Sequence, residues 1–514
     1  MAALSLATDL AIGQPMEYAV GACILAVRLG ESLGLSEAEL REVYYEALLR
    51  YIGCNAETGV LAAIVGDEQA MRRDFAAIDT ANTPHVIRLV MRYIGQANRG
   101  ASPLQLARSM AHGLLTMPRM TKETFAGHCE VAERLATRLG FNGGVVAALG
   151  QLYERWDGKG LPHGLRGEAV ALSVRIVTLA QDAVVFARLG GCDAAVAMAR
   201  ERSGHAYDPR IAARFCERAG DLMEDLEEAP AWETCLAVEP GPPVYLSEPE
   251  LDAACCAFAD FADIKSPSTL GHSTAVGELV GAAAGRWGLP AADAVAIRRA
   301  GLLHDLGQVG ISSSIWEKPG PLSERDWEAV RLHPYYTERI LARPSLLAAL
   351  GGLASLHHER LDGSGYHRGA PGSMLSPGAR ILAAADAYQA MTEPRPHRPV
   401  QRPEQAAEEL RREVRAGRLD DATVNAVLSA AGHRVRRTLR AAVAGLSERE
   451  IEVLRLLARG HSMRAIAARL VVSEKTVDNH IQHIYSKAGV STRAGATLFA
   501  MEHDLLGERD DVPA

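Results

Sequence analysis

Apolar residues recur at three- and four-residue spacing along most of the chain, as in EVYYEALLRYIG (42–53) and AIRRAGLLHDLG (296–307). That period belongs to amphipathic helices, and strand-like alternation is rare, so the expected fold class is all-α. The helical pattern breaks at 225–249, an acidic, proline-containing stretch that reads as an inter-domain linker. It changes again at 416–444, read as a basic connector because 411–440 holds eight arginines against three acids. A new helical pattern begins at 445.

Between these breaks the chain repeats itself. LLRYIG (48–53) matches LLHDLG (302–307), and YERWDGKGLPHGLRG (153–167) matches HERLDGSGYHRGAPG (358–372). Tyr18 to Arg50 and His272 to His304 are both 32 residues. His128 to Leu152 and His333 to His357 are both 24, and Glu154 to Arg175 and Glu359 to Arg380 are both 21. Matched spacings of this kind signal two copies of one helical domain, 1–224 and 250–415, the first with an insertion within 54–125.

Composition narrows the setting. With 514 residues, 48% hydrophobic and 23% charged, the chain is globular and too long for one core. Its net charge of −8 excludes a protein basic throughout. The eight cysteines form no C-x-x-C pair, which argues against a cysteine zinc site or a disulfide framework and for a reducing compartment. The first residues show no basic n-region, and the apolar run near Tyr18–Val27 stops at Arg28, short of a membrane span. A cytoplasmic protein without membrane contact is expected.

The second copy concentrates imidazoles and carboxylates within apolar surroundings: His272, His304, Asp305, His333, His357, His358 and Asp386. Such groups are costly to bury unpaired, and two cations would satisfy them. Nitrogen and oxygen donors without thiolate suit iron, manganese, zinc, nickel or magnesium. A single buried histidine is more often a hydrogen-bonded core residue, but the first copy supplies a control. There Tyr18, Arg50, Tyr51, Leu152, Tyr153 and Gln181 stand at the positions of His272, His304, Asp305, His357, His358 and Asp386, and His128 alone matches a ligand, His333. A scaffold that dispenses with these groups does not need them to fold.

KSPSTLGHS, LLHDLGQVGI, EKPGPLSERDWEAVRLHP, HHERLDGSGYH, ARILAAADAYQAM and RPHRP follow in order through 250–415. This segment resembles an HD-GYP domain of the HD phosphohydrolase superfamily, whose members hydrolyse cyclic di-GMP. The resemblance implies a two-metal centre (iron, manganese or zinc) held by the seven groups above, with Asp305 bridging and catalytic. It implies that Arg395 and Arg398 lie near the substrate phosphates, where guanidinium forks fit, and that Tyr366 packs near a base. Three departures stand out. The GYP signature reads Gly365-Tyr366-His367, and Gln308 occupies the catalytic position where lysine usually follows the HD-x-G motif. Ser268 replaces the glutamate of three-metal members, so two metals are expected. Two functions follow: a metal-dependent phosphodiesterase for a cyclic dinucleotide, or a weakly active or inactive domain whose occupancy controls the rest of the chain. For the first copy, a structural partner and a sensor with a different ligand both stand.

In 445–506, Ser447 with Glu450 reads as a capping box and Leu446 with Ile451 as a hydrophobic staple. Gly460 ends that helix, Ser462 starts a short one to about Leu470, and Ser473 caps the next. Val477, Ile481 and Ile484 share one face of it, and Lys475, Asn479, Gln482 and Ser486 the other. That is a helix-turn-helix, and the segment is similar throughout to the LuxR-type DNA-binding domain. The resemblance places the 473–487 helix in the major groove, with Lys475, Asn479 and His483 facing bases or phosphates, Lys487 near the backbone, and Arg464 and Thr476 adding phosphate contacts. Arg434, Arg436, Arg437 and Arg440 upstream add positive charge, and paired half-sites imply a homodimer.

Overall fold

A computed structural model describes residues 1–56, 58–226, 231–396, 398–433, 446–458, 460–490, 493–502 and 505. Among these the secondary structure is helical, with three isolated β-bridges and no strand. No helix among them is long and apolar enough to cross a membrane.

The first copy opens with α1 (Ala2–Ala11), α2 (Tyr18–Ser32) and α3 (Glu37–Leu49). Then comes an insertion of α4 (Thr58–Val65), α5 (Glu68–Phe75), α6 (Thr83–Ala97) and the first turns of α7 (Pro103–Arg138). The copy closes with α8 (Gly143–Leu149), α9 (Leu172–Arg202, broken at Gly190–Gly191) and α10 (Pro209–Met223). After α11 (Ala231–Ala237), the second copy runs through α12 (Glu248–Asp263), α13 (His272–Trp287) and α14 (Ala291–Leu303). It continues with α15 (Ser313–Trp316), α16 (Glu324–Val330), α17 (His333–Leu341), α18 (Ser345–Ala354), α19 (Pro377–Thr392), α20 (Pro403–Arg415) and α21 (Asp421–Ala430).

The two copies share construction details at matched positions. Asp9 caps the start of α2 by accepting from Ala19 N at 3.1 Å, and Asp263 caps α13 by accepting from Ser273 N at 2.9 Å. Glu154 ties down its loop by accepting from His163 N and Leu165 N, and Glu359 does so from Arg368 N and Ala370 N. Gly53 and Gly307 answer the same steric demand: a Cβ would lie 1.9 Å from His128 O in one copy and 2.1 Å from His333 O in the other. A side chain at Gly307 would push α17, and with it His333, away from the turn that carries Asp305.

The expected boundaries need correction in three places. The copies are not separate bodies, because residues 1–433 form one compact unit. One continuous core joins Leu25, Leu48 and Phe215 to Phe258, Phe261, Leu306 and Ile340, so each copy covers apolar surface on the other. The expected linker 225–249 contains α11, whose Trp232 and Cys235 are buried, Cys235 Sγ lying 3.6 Å from Tyr44 Oη. The expected connector begins inside the fold, since α21 buries Val424, Val427 and Leu428 and packs on α13 and α19. Arg434, Arg436, Arg437 and Arg440 lie outside the described residues.

Residues 434–514 form the second unit. Its helices are α22 (Glu448–Ala458), α23 (Met463–Leu470), α24 (Glu474–Ala488) and α25 (Arg493–Glu502). Leu446, Ile451, Leu454, Ile466, Val477, Ile481 and Ile484 make its own small core.

Candidate metal centre

Each member of the second copy's cluster sits where a helix begins or ends, except Asp386 inside α19. His272 is the first residue of α13, and His304 and Asp305 follow α14 directly. His333 is the first residue of α17, and His357 and His358 lie just after α18. His272, His304, His333 and His357 are buried, as is Asp386.

The ring orientations are fixed from behind. His304, His333 and His357 each direct Nδ1 to the backbone carbonyl three residues earlier, Gly301 O, Val330 O and Ala354 O, at 2.7, 2.6 and 2.7 Å. His272 directs Nδ1 to Glu393 Oε2 at 2.8 Å. With Nδ1 donating in these contacts, each ring in its neutral form turns an Nε2 lone pair toward the centre, the arrangement that metal-binding histidines use.

Two sets of donors result: His272, His304 and Asp386 on one side, and His333, His357 and His358 on the other. Asp305 stands between them. Its Oδ2 lies 3.7 Å from His272 Nε2 and 3.5 Å from His304 Nε2. Its Oδ1 lies 3.3 Å from His333 Nε2 and 3.5 Å from His357 Nε2. Asp386 faces His272 Nε2 at 3.3 Å with Oδ1 and His358 Nδ1 at 3.7 Å with Oδ2.

The electrostatics fit a cation cage. Burial and neighbouring imidazoles push His357 down to about 3 and His358 well below the usual histidine range, so both present neutral rings. Burial opposes the Asp305 and Asp386 anions, yet the surrounding histidines hold both carboxyls well below their usual range. His272 is pushed up to about 10: burial works against the charge, but Asp386 and Glu393 outweigh it. The site therefore favours positive charge between its carboxylates. His304 Nε2 is buried without any hydrogen-bond partner, as a ligand atom facing a cation site would be. The residues fit two cations with nitrogen and oxygen ligands.

The other expected residues divide. Tyr366 stacks on His358, with ring centroids 4.5 Å apart, and Arg331 lies over its outer ring. Gln308 is buried in the 3-10 helical turn Leu306–Gly310 with its Nε2 unpartnered. Arg395 lies 3.4 Å from Glu393, the carboxylate behind His272. Arg398 donates to Ala390 O and keeps a buried, unpartnered Nε. His367, where the signature has proline, faces Glu338 at 3.6 Å, and Arg368 pairs with the same carboxylate. Sequence reading missed Glu393, a lone acid beside the RPHRP stretch. It also missed Asp263, although Asp9 at the matched position of the first copy was a signal.

The first copy has a different chemistry at the matched positions. Tyr51 Oη donates to Gln181 Oε1 at 2.9 Å, and Tyr153 Oη meets His128 Nδ1 at 2.9 Å. Arg50 Nη2 donates to Leu152 O at 2.6 Å.

In the C-terminal unit the expected caps form: Ser447 with Glu450, Ser462 with Ala465 N, and Ser473 with Thr476 N. Lys475, Asn479, Gln482, His483 and Ser486 are exposed on α24, and Arg464 is exposed on α23. Thr476 is partly spent on Ser473, their hydroxyls 2.7 Å apart. Lys487, also exposed on α24, pairs with Glu450 at 2.7 Å, which neutralises much of its charge.

Among known proteins, residues 98–211 and 257–423 match the HD domain family, one stretch in each copy. Residues 444–500 match the bacterial regulatory proteins of the luxR family. The chain is 31% identical over 417 residues to 3'3'-cGAMP-specific phosphodiesterase 3 of Vibrio cholerae, covering 77% of this chain and 86% of that one. It is 37% identical over 141 residues to a cyclic di-GMP phosphodiesterase of Thermotoga maritima, covering 27% of this chain and 38% of that one. A crystal structure of a cyclic GMP-AMP-specific phosphodiesterase from V. cholerae superposes with a TM-score of 0.56 at 26% identity, over 85% of this chain and 98% of that chain.

Proposed function

The chain belongs to the HD domain family and carries a luxR-family module, and from that membership we propose that it hydrolyses a phosphodiester bond of a cyclic dinucleotide, cyclic GMP-AMP or cyclic di-GMP, and binds DNA. The observation that carries this reading is Asp305, which offers one carboxylate oxygen to each half of a histidine cage. His272, His304 and Asp386 would hold one divalent cation and His333, His357 and His358 the other, with iron, manganese or zinc suited to the donors. Bound there, the pair would supply Lewis acidity and a nucleophile from water at neutral pH.

The protein's own groups do the rest. Carbonyls of Gly301, Val330 and Ala354 and the carboxylate of Glu393 lock the rings, so no reorientation is needed on binding. Tyr366 offers an aromatic face beside His358 for a purine. Arg395 and Arg398 hold positive charge behind Glu393 for the phosphates. Gln308 adds no charge where the family has lysine, which lowers the rate without disturbing the cage. The C-terminal unit would read DNA through Lys475, Asn479 and His483 on α24, with Arg464 and Thr476 at phosphates, as a homodimer on paired half-sites. All eight cysteines are free, which suits a cytoplasmic location.

Incubating purified, manganese- or iron-loaded protein with cyclic GMP-AMP and cyclic di-GMP, and resolving products by chromatography, tests the proposal. Linear dinucleotide is expected from the wild type and none from Asp305→Ala. Nucleotide that binds, is never cleaved and alters promoter binding would replace the enzyme with a sensor.

A further inference from the structure

The first copy encloses a chamber of about 340 Å3 at the place where the second copy holds its cage. Its floor is the set of replaced ligand positions, with Tyr18, Arg50, Tyr51 and Tyr153 facing in. Its roof is the insertion, which the second copy lacks. Ile64 on α4, Met71 and Phe75 on α5, Val90 on α6, and Met117 and Met120 on α7 supply an apolar wall. A fold that has lost its metal ligands and gained a hydrophobic cover has the size and lining of a small-molecule site.

The charges identify one end. The carboxylates that line the chamber are engaged. Asp79 holds Arg155 at 2.7 Å, Asp182 holds Arg202 at 3.1 Å, and Glu154 is committed to backbone amides. Arg72 is left over. Among the described residues no carboxylate lies within ion-pair distance of it, and its Nη1 is buried without a hydrogen-bond partner. Arg50, the buried arginine of the floor, is already met: Nη1 faces the buried Glu46 at 3.6 Å and Nη2 donates to Leu152 O. Thr178 Oγ1, also in the lining, is buried and unpartnered. A guanidinium tip with a vacant donor in an apolar chamber is expensive unless an anion meets it.

We propose that this chamber binds a small amphipathic anion, a molecule with one carboxylate or phosphate head held by Arg72 and an apolar body of about ten carbons under the insertion. A cyclic dinucleotide, with two phosphates and two purines, does not match one unmet guanidinium under an apolar roof. The site also touches the second copy. The helix α5, which carries Met71, Arg72 and Phe75, accepts Ser312 Oγ and Ser313 N on Glu68 at 2.6 and 2.8 Å. Its Gln69 Nε2 donates to Val309 O at 2.8 Å, in the turn that follows Asp305. The ligand's head therefore grips a helix already bonded to the neighbourhood of the cage.

Titration calorimetry of the full chain with decanoate, decyl phosphate and decanol tests this without any activity readout. One equivalent of decanoate or decyl phosphate is expected to bind, the tighter of the two naming the head group, and decanol far more weakly. Arg72→Met should weaken binding at least about tenfold, as loss of a charge-assisted bond does, and Arg72→Lys should recover part of it. Val90→Trp, which fills the apolar end, should weaken it too, with melting curves of all variants matching the wild type. Three results would overturn the proposal: neither anion binds, both variants bind like the wild type, or cyclic di-GMP binds in a way that Arg72→Met abolishes.

Discussion

Glu68→Ala would remove the carboxylate that faces Lys265 across the junction of the two copies. Both side chains are fully buried, with Lys265 Nζ 3.5 Å from Glu68 Oε1. The same carboxylate accepts from Ser312 Oγ and Ser313 N. Breaking a buried pair from one side costs about 3–5 kcal/mol, because the other charge stays buried alone. Lys265 can escape only by losing its proton. Burial already lowers that lysine to about 8 in the fold, about one unit above pH 7, and each unit is worth about 1.4 kcal/mol, so losing the proton adds at most about 1.4 kcal/mol there. Proton loss is the cheaper escape and sets the lysine's share, and stranding the Ser312 and Ser313 donors adds to it, so a loss of about 1.5–4 kcal/mol is expected in urea unfolding at pH 7. A Glu68→Met, Lys265→Met double variant should recover the lysine's share of it. The pH dependence has a definite sign. Burial lowers Lys265 to about 8 even with Glu68 present. The unfolded chain thus binds the extra proton between that value and lysine's ordinary one, and stability rises with pH across this window. Without Glu68 the folded value falls further, so the rise starts at lower pH and the variant's deficit shrinks as pH rises toward about 8. A loss below about 1 kcal/mol, or a double variant as damaged as the single, would refute the reasoning.

Glu393→Gln should leave the fold intact but weaken cation affinity about 10–100-fold in a chelator competition, since it loosens the orientation of His272. Gly307→Ala should cost about 3 kcal/mol or more in thermal unfolding, because the new Cβ would lie 2.1 Å from His333 O and 2.4 Å from Thr337 N. Gly285→Ala on α13, where a Cβ meets nothing within 4 Å, is the control and should be neutral or slightly stabilising. In DNA titrations, Lys475→Ala should weaken binding and reduce the salt slope by about 1, while Lys487→Ala should do less, since Glu450 already neutralises that lysine.

The cage was legible because its ligands fall at fixed spacings that the first copy repeats with other side chains. His272 to His304 and Tyr18 to Arg50 is one such pair, and a repeat that changes chemistry while keeping spacing separates function from folding. The helix-turn-helix was legible for a local reason: caps and apolar stripes such as Ser473 with Val477, Ile481 and Ile484 are set within one or two turns. What escaped was non-local. Glu393 reaches His272 across 121 residues, and Glu450 reaches Lys487 across 37, distances over which no periodicity pairs charges. The shared core escaped because an apolar face such as that of α1 records how much surface must be buried, not that the turn Leu306–Gly310 and α17 cover it. The chamber of the first copy needed the path of the insertion, which composition alone does not trace.

The central claim is that the second copy cages two cations and the first none. Elemental analysis of the purified chain, with iron, manganese and zinc quantified together, tests it most directly. The account predicts two equivalents per chain, about one in a His333→Ala, His357→Ala variant that spares His272, His304 and Asp386, and an unchanged two in His128→Ala. A wild type without stoichiometric metal, or a His128→Ala chain that loses it, would contradict the account.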